Sequence, residues 1–255
     1  MLLVIDAGNT HINMGVYEDN NLLLVSRLAT DRKATSDRMA IDISTIFRLN
    51  GVEPVSFDGV VISSVVPEIT NALITAVKKL TDKNPIVVGA GVKTGLNILI
   101  DNPAGLGADL VASAVAAKNT YPLPCLVLDL GTATKVSAIN SKGEFVGCSI
   151  SPGVTISLNA LAKEASQLIS ISLQSPDHAI GTNTVDSMRS GIVFGTAGMI
   201  DGLCNRFNKE LDAPVKTIIA TGGLCDITDH CEHEIVKNRN LLLEGLKIIY
   251  EKNKK

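Results

Sequence analysis

The sequence predicts an α/β protein built from two related halves, and three observations predict it. First, a stretch recurs at half-chain spacing. Leu3-Val4-Ile5-Asp6-Ala7-Gly8-Asn9-Thr10-His11-Ile12-Asn13-Met14 is echoed by Leu126-Val127-Leu128-Asp129-Leu130-Gly131-Thr132-Ala133-Thr134-Lys135-Val136-Ser137-Ala138, with one extra residue read after the second glycine. Second, each copy has the same internal plan: an apolar run, an Asp at its end, a Gly that permits a tight turn, small polar residues, then an alternating run. That plan is a buried strand, a turn and a second strand. Third, each copy is followed by short apolar runs alternating with amphipathic stretches at helical spacing, the pattern of strands joined by helices. A repeat spaced by half the chain marks a duplicated domain, because a solenoid needs several short periods.

The elements follow in order. Asn20-Asn21 turns the first half into a third strand over 22–24, and Ser141-Lys142-Gly143 does the same for 144–148, so each half opens with a β-meander. Residues 38–49 read as an amphipathic helix capped by Ser36 or Asp37. A buried strand over 59–64, a helix over 69–80 and a strand over 86–88 come next. Pro103 and Gly105 break the chain before an Ala-rich helix over 107–119. In the second half, 155–164 reads as a helix, 184–211 as one long helix or two abutting ones, 218–221 as a strand and 241–251 as a closing helix. The halves divide near Tyr121-Pro122-Leu123-Pro124, where the prolines stop one helix before the next strand, giving residues 1–120 and 121–255.

Composition narrows the function. The 255 residues, 45% hydrophobic and 19% charged, suffice for one large core or two compact ones. A net charge of −3 and 3% aromatic residues with no Trp give neither a basic field nor a stacking platform for nucleic acid. No apolar run approaches the roughly 20 residues that span a bilayer, and the opening apolar run meets Asp6 without a basic flank. No membrane association and a cytoplasmic location are expected. Cys125, Cys148, Cys204, Cys225 and Cys231 lack CxxC spacing and read as buried thiols in a reducing compartment. The segment from Asp229 to Glu234, with His230 and His233, reads as a surface helix start rather than a metal site.

The candidate chemistry lies in the two Asp-x-Gly turns. A carboxylate at a strand end, as at Asp6, can orient Mg²⁺ or its waters beside nucleotide phosphates. A following Gly lets backbone N–H groups approach phosphate oxygens, and Asn9 and Thr10 add neutral donors. Two matched turns would form a phosphate clamp. Thr221-Gly222-Gly223 and Ser151-Pro152-Gly153 are further glycine segments at strand ends that suit a nucleotide cleft. Neither a GxxxxGK[ST] loop nor a GxGxxG after a strand occurs, which disfavours two commoner nucleotide architectures. Asp109, in Gly105-Leu106-Gly107-Ala108-Asp109 at a helix start, is either a favourable helix-end charge or a base for a substrate hydroxyl. Thr184 reads as a helix N-cap or as a substrate contact. Gly191, Gly195, Gly198 and Gly202 recur along the long helix and suggest close packing, within the chain or across a dimer seam.

Taken together, Asp6-x-Gly8-Asn9-Thr10, Ser63-Ser64-Val65-Val66-Pro67-Glu68, Asn102-Pro103 with Gly107-Ala108-Asp109, Asp129-x-Gly131-Thr132-Ala133-Thr134, Pro152-Gly153, Asn183-Thr184-Val185-Asp186-Ser187 and Ala220-Thr221-Gly222-Gly223 resemble type III pantothenate kinase in order and over nearly the whole chain. The resemblance implies a duplicated actin-like ATPase fold with two ribonuclease H-like halves, in the sugar kinase/acetate kinase superfamily. It also implies ATP-dependent phosphorylation of pantothenate to 4'-phosphopantothenate, the first step of coenzyme A biosynthesis. By position, it puts ATP on Asp6, Ala7, Gly8, Asn9, Thr10, His11, Ile12, Asn13 and Thr132, with Mg²⁺ near Asp6. It makes Asp109 the general base, puts Gly107, Ala108, Asp109, Leu110, Thr184 and Ile100 around the substrate, and gives Asp129 a monovalent cation, potassium or ammonium. It further implies a homodimer. This chain departs from the family pattern at four places: Leu110 stands for Arg, Ile100 for Tyr, Lys135-Val136-Ser137 for Thr-Phe-Asp and Thr182 for Lys. Lys135 is the cation that could replace the lost Arg toward the substrate carboxylate. Two alternatives stay open on these departures: a paralogue that phosphorylates another small alcohol, and a nucleotide-binding regulator without turnover.

Overall fold

The computed structural model describes residues 1–164 and 171–254. The chain forms two compact units, one of Met1–Leu96, Asp101–Ala116 and Leu241–Lys255, the other of Asn97–Ile100 and Ala117–Asn240.

The first unit holds a five-stranded sheet. Strands β1 (Leu2–Ala7), β2 (His11–Glu18) and β3 (Asn21–Ala29) form an antiparallel meander; β4 (Gly59–Ser64) and β5 (Ile86–Val87) add in parallel, in the order β3-β2-β1-β4-β5. Every residue of β1 is buried, as expected of a central strand covered on both faces. Leu3, Ile5 and Ala7 join the core with Ile43 and Phe47 of helix α1 (Ser36–Leu49) and Ile69 and Leu73 of α2 (Pro67–Thr81). Phe47 and Phe57 sit 5.3 Å apart between ring centroids in that core. The opposite face, carrying Val4, meets α6 (Leu241–Asn253): a Cβ on Gly15 would lie 2.9 Å from Val4 Cγ2 and 3.2 Å from Leu243 Cδ1.

The second unit holds β6 (Asn97–Ile98), β7 (Cys125–Leu130), β8 (Ala133–Ile139), β9 (Glu144–Pro152), β10 (Thr217–Thr221) and β11 (Val236–Lys237), in the order β11-β10-β7-β8-β9-β6. Again a meander, β7-β8-β9, is followed by a strand parallel to its first member. Leu126, Leu128 and Leu130 pack with Val154 of α4 (Val154–Glu164) and Ile200 and Cys204 of α5 (Thr184–Glu210). Helix α3 (Ala108–Thr120) is divided between the units after Ala116.

Four readings need correction. The closing helix does not belong with the second half: Leu241, Leu246 and Ile249 of α6 are fully buried against the first unit's sheet, and Gly245 lies so close to α3 that a Cβ would sit 1.8 Å from the Ala112 carbonyl oxygen. Sequence adjacency therefore misplaces it. The second turn has one residue fewer than the first, not one more. Asp6 pairs with Asn13 but Asp129 pairs with Lys135, so the loops are Gly8–His11 in number four and 131–133 in number three. The cap of α1 is Thr35, whose hydroxyl accepts from Arg38 N–H at 3.3 Å, rather than Ser36 or Asp37. The cap of α5 is Asn183, whose side chain accepts from Asp186 N–H at 3.0 Å, which makes Thr184 the first helical residue. The region 184–210 is a single helix. A Cβ added to Gly191, Gly195, Gly198 or Gly202 would meet nothing within 4 Å among the described residues, so close packing against those residues does not require these glycines.

Candidate active site

In open α/β sheets ligands bind beyond the carboxyl ends of parallel strands. In the first unit those ends belong to β1 and β4. Asp6, 6% exposed, pairs in register with Ser63, whose hydroxyl is fully buried without a hydrogen-bond partner among the described residues. The loop beyond β1 is closed by Gly8 N–H donating to the His11 carbonyl at 2.9 Å. It is braced by the segment after β3: Thr30 hydroxyl donates to the Gly8 carbonyl at 2.7 Å and Thr30 N–H to the Thr10 carbonyl at 3.0 Å. Arg32 joins the two strand ends, its guanidinium donating to Asn9 Oδ1 at 2.8 Å and Glu68 Oε1 at 3.0 Å. Thr30 and Arg32 were not legible in the sequence, since nothing in their spacing ties them to the turn. Ile12 points into the core and Asn13 accepts from Arg27 Nε at 3.0 Å, while His11 is exposed.

Asp109 lies at the same end of this sheet. Val65 directly follows β4 and donates its N–H to the Ala7 carbonyl at 3.1 Å. A Cβ on Gly107 would lie 3.7 Å from Val65 and 2.5 Å from Asp109 Oδ1, so a side chain there would push that carboxylate from its position. Leu110 N–H donates to Asp109 Oδ1 at 2.8 Å and holds it at the first turn of α3, where a helix N-terminus favours negative charge. Ala108 and Leu110 are buried, Leu110 at 8% exposure, so an apolar side chain suits its position. The structure thus brings the first turn and the Gly107-Ala108-Asp109 segment together.

The second unit repeats the arrangement at the ends of β7 and β10. Gly131 N–H donates to the Ala133 carbonyl at 3.1 Å, closing the turn around Thr132. A Cβ on Gly153 would fall 2.1 Å from the Thr132 carbonyl oxygen. Gly222 has φ +92°, a conformation that side chains rarely adopt, and its Cβ would fall 2.6 Å from the Leu130 carbonyl oxygen. Leu224 N–H completes the contact by donating to that carbonyl at 3.2 Å. Three glycine segments far apart in sequence therefore pack backbone against backbone around Thr132. Thr184 is exposed in an open cavity of ≈ 500 Å³ lined by residues 181–184 with Ser187, Leu161 and Met188. Ile100 is half-buried just past β6, three strands from β7, and is not gathered with the Thr132 turn.

Asp129 and Lys135 stand opposite each other in the β7–β8 register, with Lys135 Nζ 2.9 Å from Asp129 Oδ2 and side chains 17% and 19% exposed. Lys135, the cation that the sequence offered toward a substrate carboxylate, is paired with Asp129. An ammonium group thus lies against one oxygen of the carboxylate to which the resemblance gives a monovalent cation.

Two meander sheets ending in matched turns define a protein of the actin-like ATPase and sugar-kinase fold class. Solved structures agree. The chain superposes on a protein from Campylobacter jejuni described as a Baf family transcriptional activator, with TM-score 0.63 and 21% identity over 98% of both chains. It also matches component A of (R)-2-hydroxyglutaryl-CoA dehydratase from Acidaminococcus fermentans, with TM-score 0.57, 18% identity and coverage of 98% and 96%. A Sinorhizobium meliloti protein described as a 2-dehydro-3-deoxygalactonokinase gives TM-score 0.61 at 12% identity, with coverage of 98% and 96%. Sequence relatives are more specific. Residues 2–206 match the profile of type III pantothenate kinase. The type III pantothenate kinase of Halalkalibacterium halodurans is 43% identical over 254 residues, spanning 99% of this chain and 100% of that protein. That of Myxococcus xanthus is 42% identical over 256 residues, spanning 99% of each. The chain belongs to the type III pantothenate kinase family.

Proposed function

We propose that this protein transfers the γ-phosphoryl group of ATP to the primary hydroxyl of pantothenate, giving 4'-phosphopantothenate for coenzyme A synthesis. One observation carries the reading beyond family membership: Asp109 is held over Gly107 at the strand ends that also present the Asp6 turn. Phosphoryl transfer asks a protein mainly to position its reactants and to stabilise charge. Asp109 would accept the hydroxyl proton as that oxygen attacks phosphorus, and the glycine beside it leaves space for the substrate chain. Each of the turns at 8–11 and 131–133 offers a backbone loop suited to phosphate oxygens, and the Arg32 guanidinium braces the first through Asn9. Asp6 and the buried Ser63 hydroxyl provide oxygen ligands that suit Mg²⁺ with its waters. Bound there, Mg²⁺ would supply charge neutralisation on the phosphates.

The cavity beside Thr184 is a second place for substrate polar groups. The open glycine face of α5 supports a homodimer, since four glycines on one face would let a second copy approach closely. No helix among the described residues is long and apolar enough to cross a membrane, which accords with work in the cytoplasm. The test is formation of ADP and phosphopantothenate by purified protein, measured directly by chromatography. Nucleotide binding with no product from pantothenate, and product from another small alcohol instead, would overturn the assignment of acceptor.

A further inference from the structure

We propose that Lys135 is a built-in monovalent cation: its ammonium group, fixed by Asp129, does the electrostatic work beside the Thr132 phosphate turn that a bound potassium or ammonium ion would do, and so frees the protein from a requirement for either. The pair sits on facing positions of β7 and β8, and the turn at 131–133 joins those same two strands. The Nζ to Oδ2 distance is 2.9 Å, and both side chains are more than four-fifths buried. Screening by solvent is therefore weak, and the positive charge is held close to where phosphate would bind. The local sequence is what makes the difference. Where the resembled pattern has a neutral Thr, this chain has Lys135, and the charge enters covalently rather than from solution. A tethered ammonium needs no ion concentration to stay in place, and a second cation on the same carboxylate would meet its positive charge at close range.

The inference rests on the kinase reading for its turnover arm only, so binding is measured as well. ATP affinity is determined by calorimetry, and ADP release by chromatography without a coupling enzyme, in potassium chloride, ammonium chloride and choline chloride at equal ionic strength. The wild type is expected to vary less than twofold among the three salts in both measurements. Lys135→Ala is expected to lose at least tenfold in ATP affinity or turnover in choline and to regain most of it in potassium or ammonium. That rescue is a readout that a merely structural lysine would not give. A wild type stimulated tenfold or more by potassium overturns the proposal, even if the variant fails to fold. So does a folded variant equally impaired in all salts. Salt-independent ATP binding with no turnover on pantothenate would instead count against the kinase reading and leave the cation inference standing.

Discussion

Asp109 and the glycines beside it show how much depends on single atoms. The carboxylate occupies space that a Cβ at Gly107 would fill, and a neighbouring amide holds one of its oxygens. Asp109→Asn keeps that shape but removes the basicity. We expect turnover to fall by about 10²- to 10⁴-fold, the usual worth of a positioned acid or base, with ATP affinity unchanged by calorimetry. Gly153→Ala tests the other turn. Its methyl would sit 2.1 Å from the Thr132 carbonyl oxygen, so the turn must move. Overpacking of this kind costs about 1–3 kcal/mol, and ATP binding should weaken as well. The cysteines allow a further check. Burial pushes the thiols of Cys125, Cys204 and Cys231 up to about 12, with the Asp201 carboxylate adding to the effect on the latter two. The thiolate is the reactive form, and a raised pKa means little thiolate at pH 8. Exposed Cys148 should therefore react alone with a thiol reagent in native protein, and Cys148→Ser should remove that rapid phase.

At the scale of elements, α5 poses the sharpest question. Glycine in a helix interior costs about 1 kcal/mol relative to alanine, yet four of them line one face where an added Cβ would meet nothing within 4 Å among the described residues. If that face is a dimer seam, Gly195→Glu with Gly198→Glu should convert a dimer to a monomer by light scattering. Thermal stability at high dilution should not fall, because glutamate is a good helix former on an open face. A variant that remains dimeric would remove α5 from the interface. The paired turns also differ at this scale. A four-residue loop follows β1 and a three-residue loop follows β7, so the second turn places Lys135, not a residue one further on, opposite the strand-end Asp.

At the scale of the whole molecule, the chain begins and ends in the same unit. Helix α6 returns to cover the face of the first sheet opposite α1 and α2. Fully burying a leucine or isoleucine contributes about 1.5–3 kcal/mol, and α6 buries Leu241, Leu246 and Ile249 completely. Deleting residues 241–255 should therefore cost roughly 5–9 kcal/mol from these three side chains, which is comparable with the whole stability of an ordinary domain, about 5–15 kcal/mol. The truncated protein is expected to lose cooperative unfolding of the first unit by circular dichroism and to become protease-sensitive between residues 1 and 96. A truncated chain as resistant as the full one would contradict this account of the fold.

The amino-acid sequence determined the parts that are local or repeated. Apolar runs ending in Asp-x-Gly specified β1 and β7, helical spacing specified α1 and α2, and the order of short motifs specified the family. Such features are legible because a strand, a turn or a helix is encoded by neighbours within a few residues. Whatever depended on distant partners was decided by tertiary structure. The packing of Gly153 and Gly222 against the Thr132 turn is one case, the bracing of the first turn by Thr30 and Arg32 a second, and the return of α6 a third. The pairing of Lys135 with Asp129 is the most instructive. They stand six positions apart in the chain, but only the register of two strands, set by the length of the loop between them, puts an ammonium group against that carboxylate.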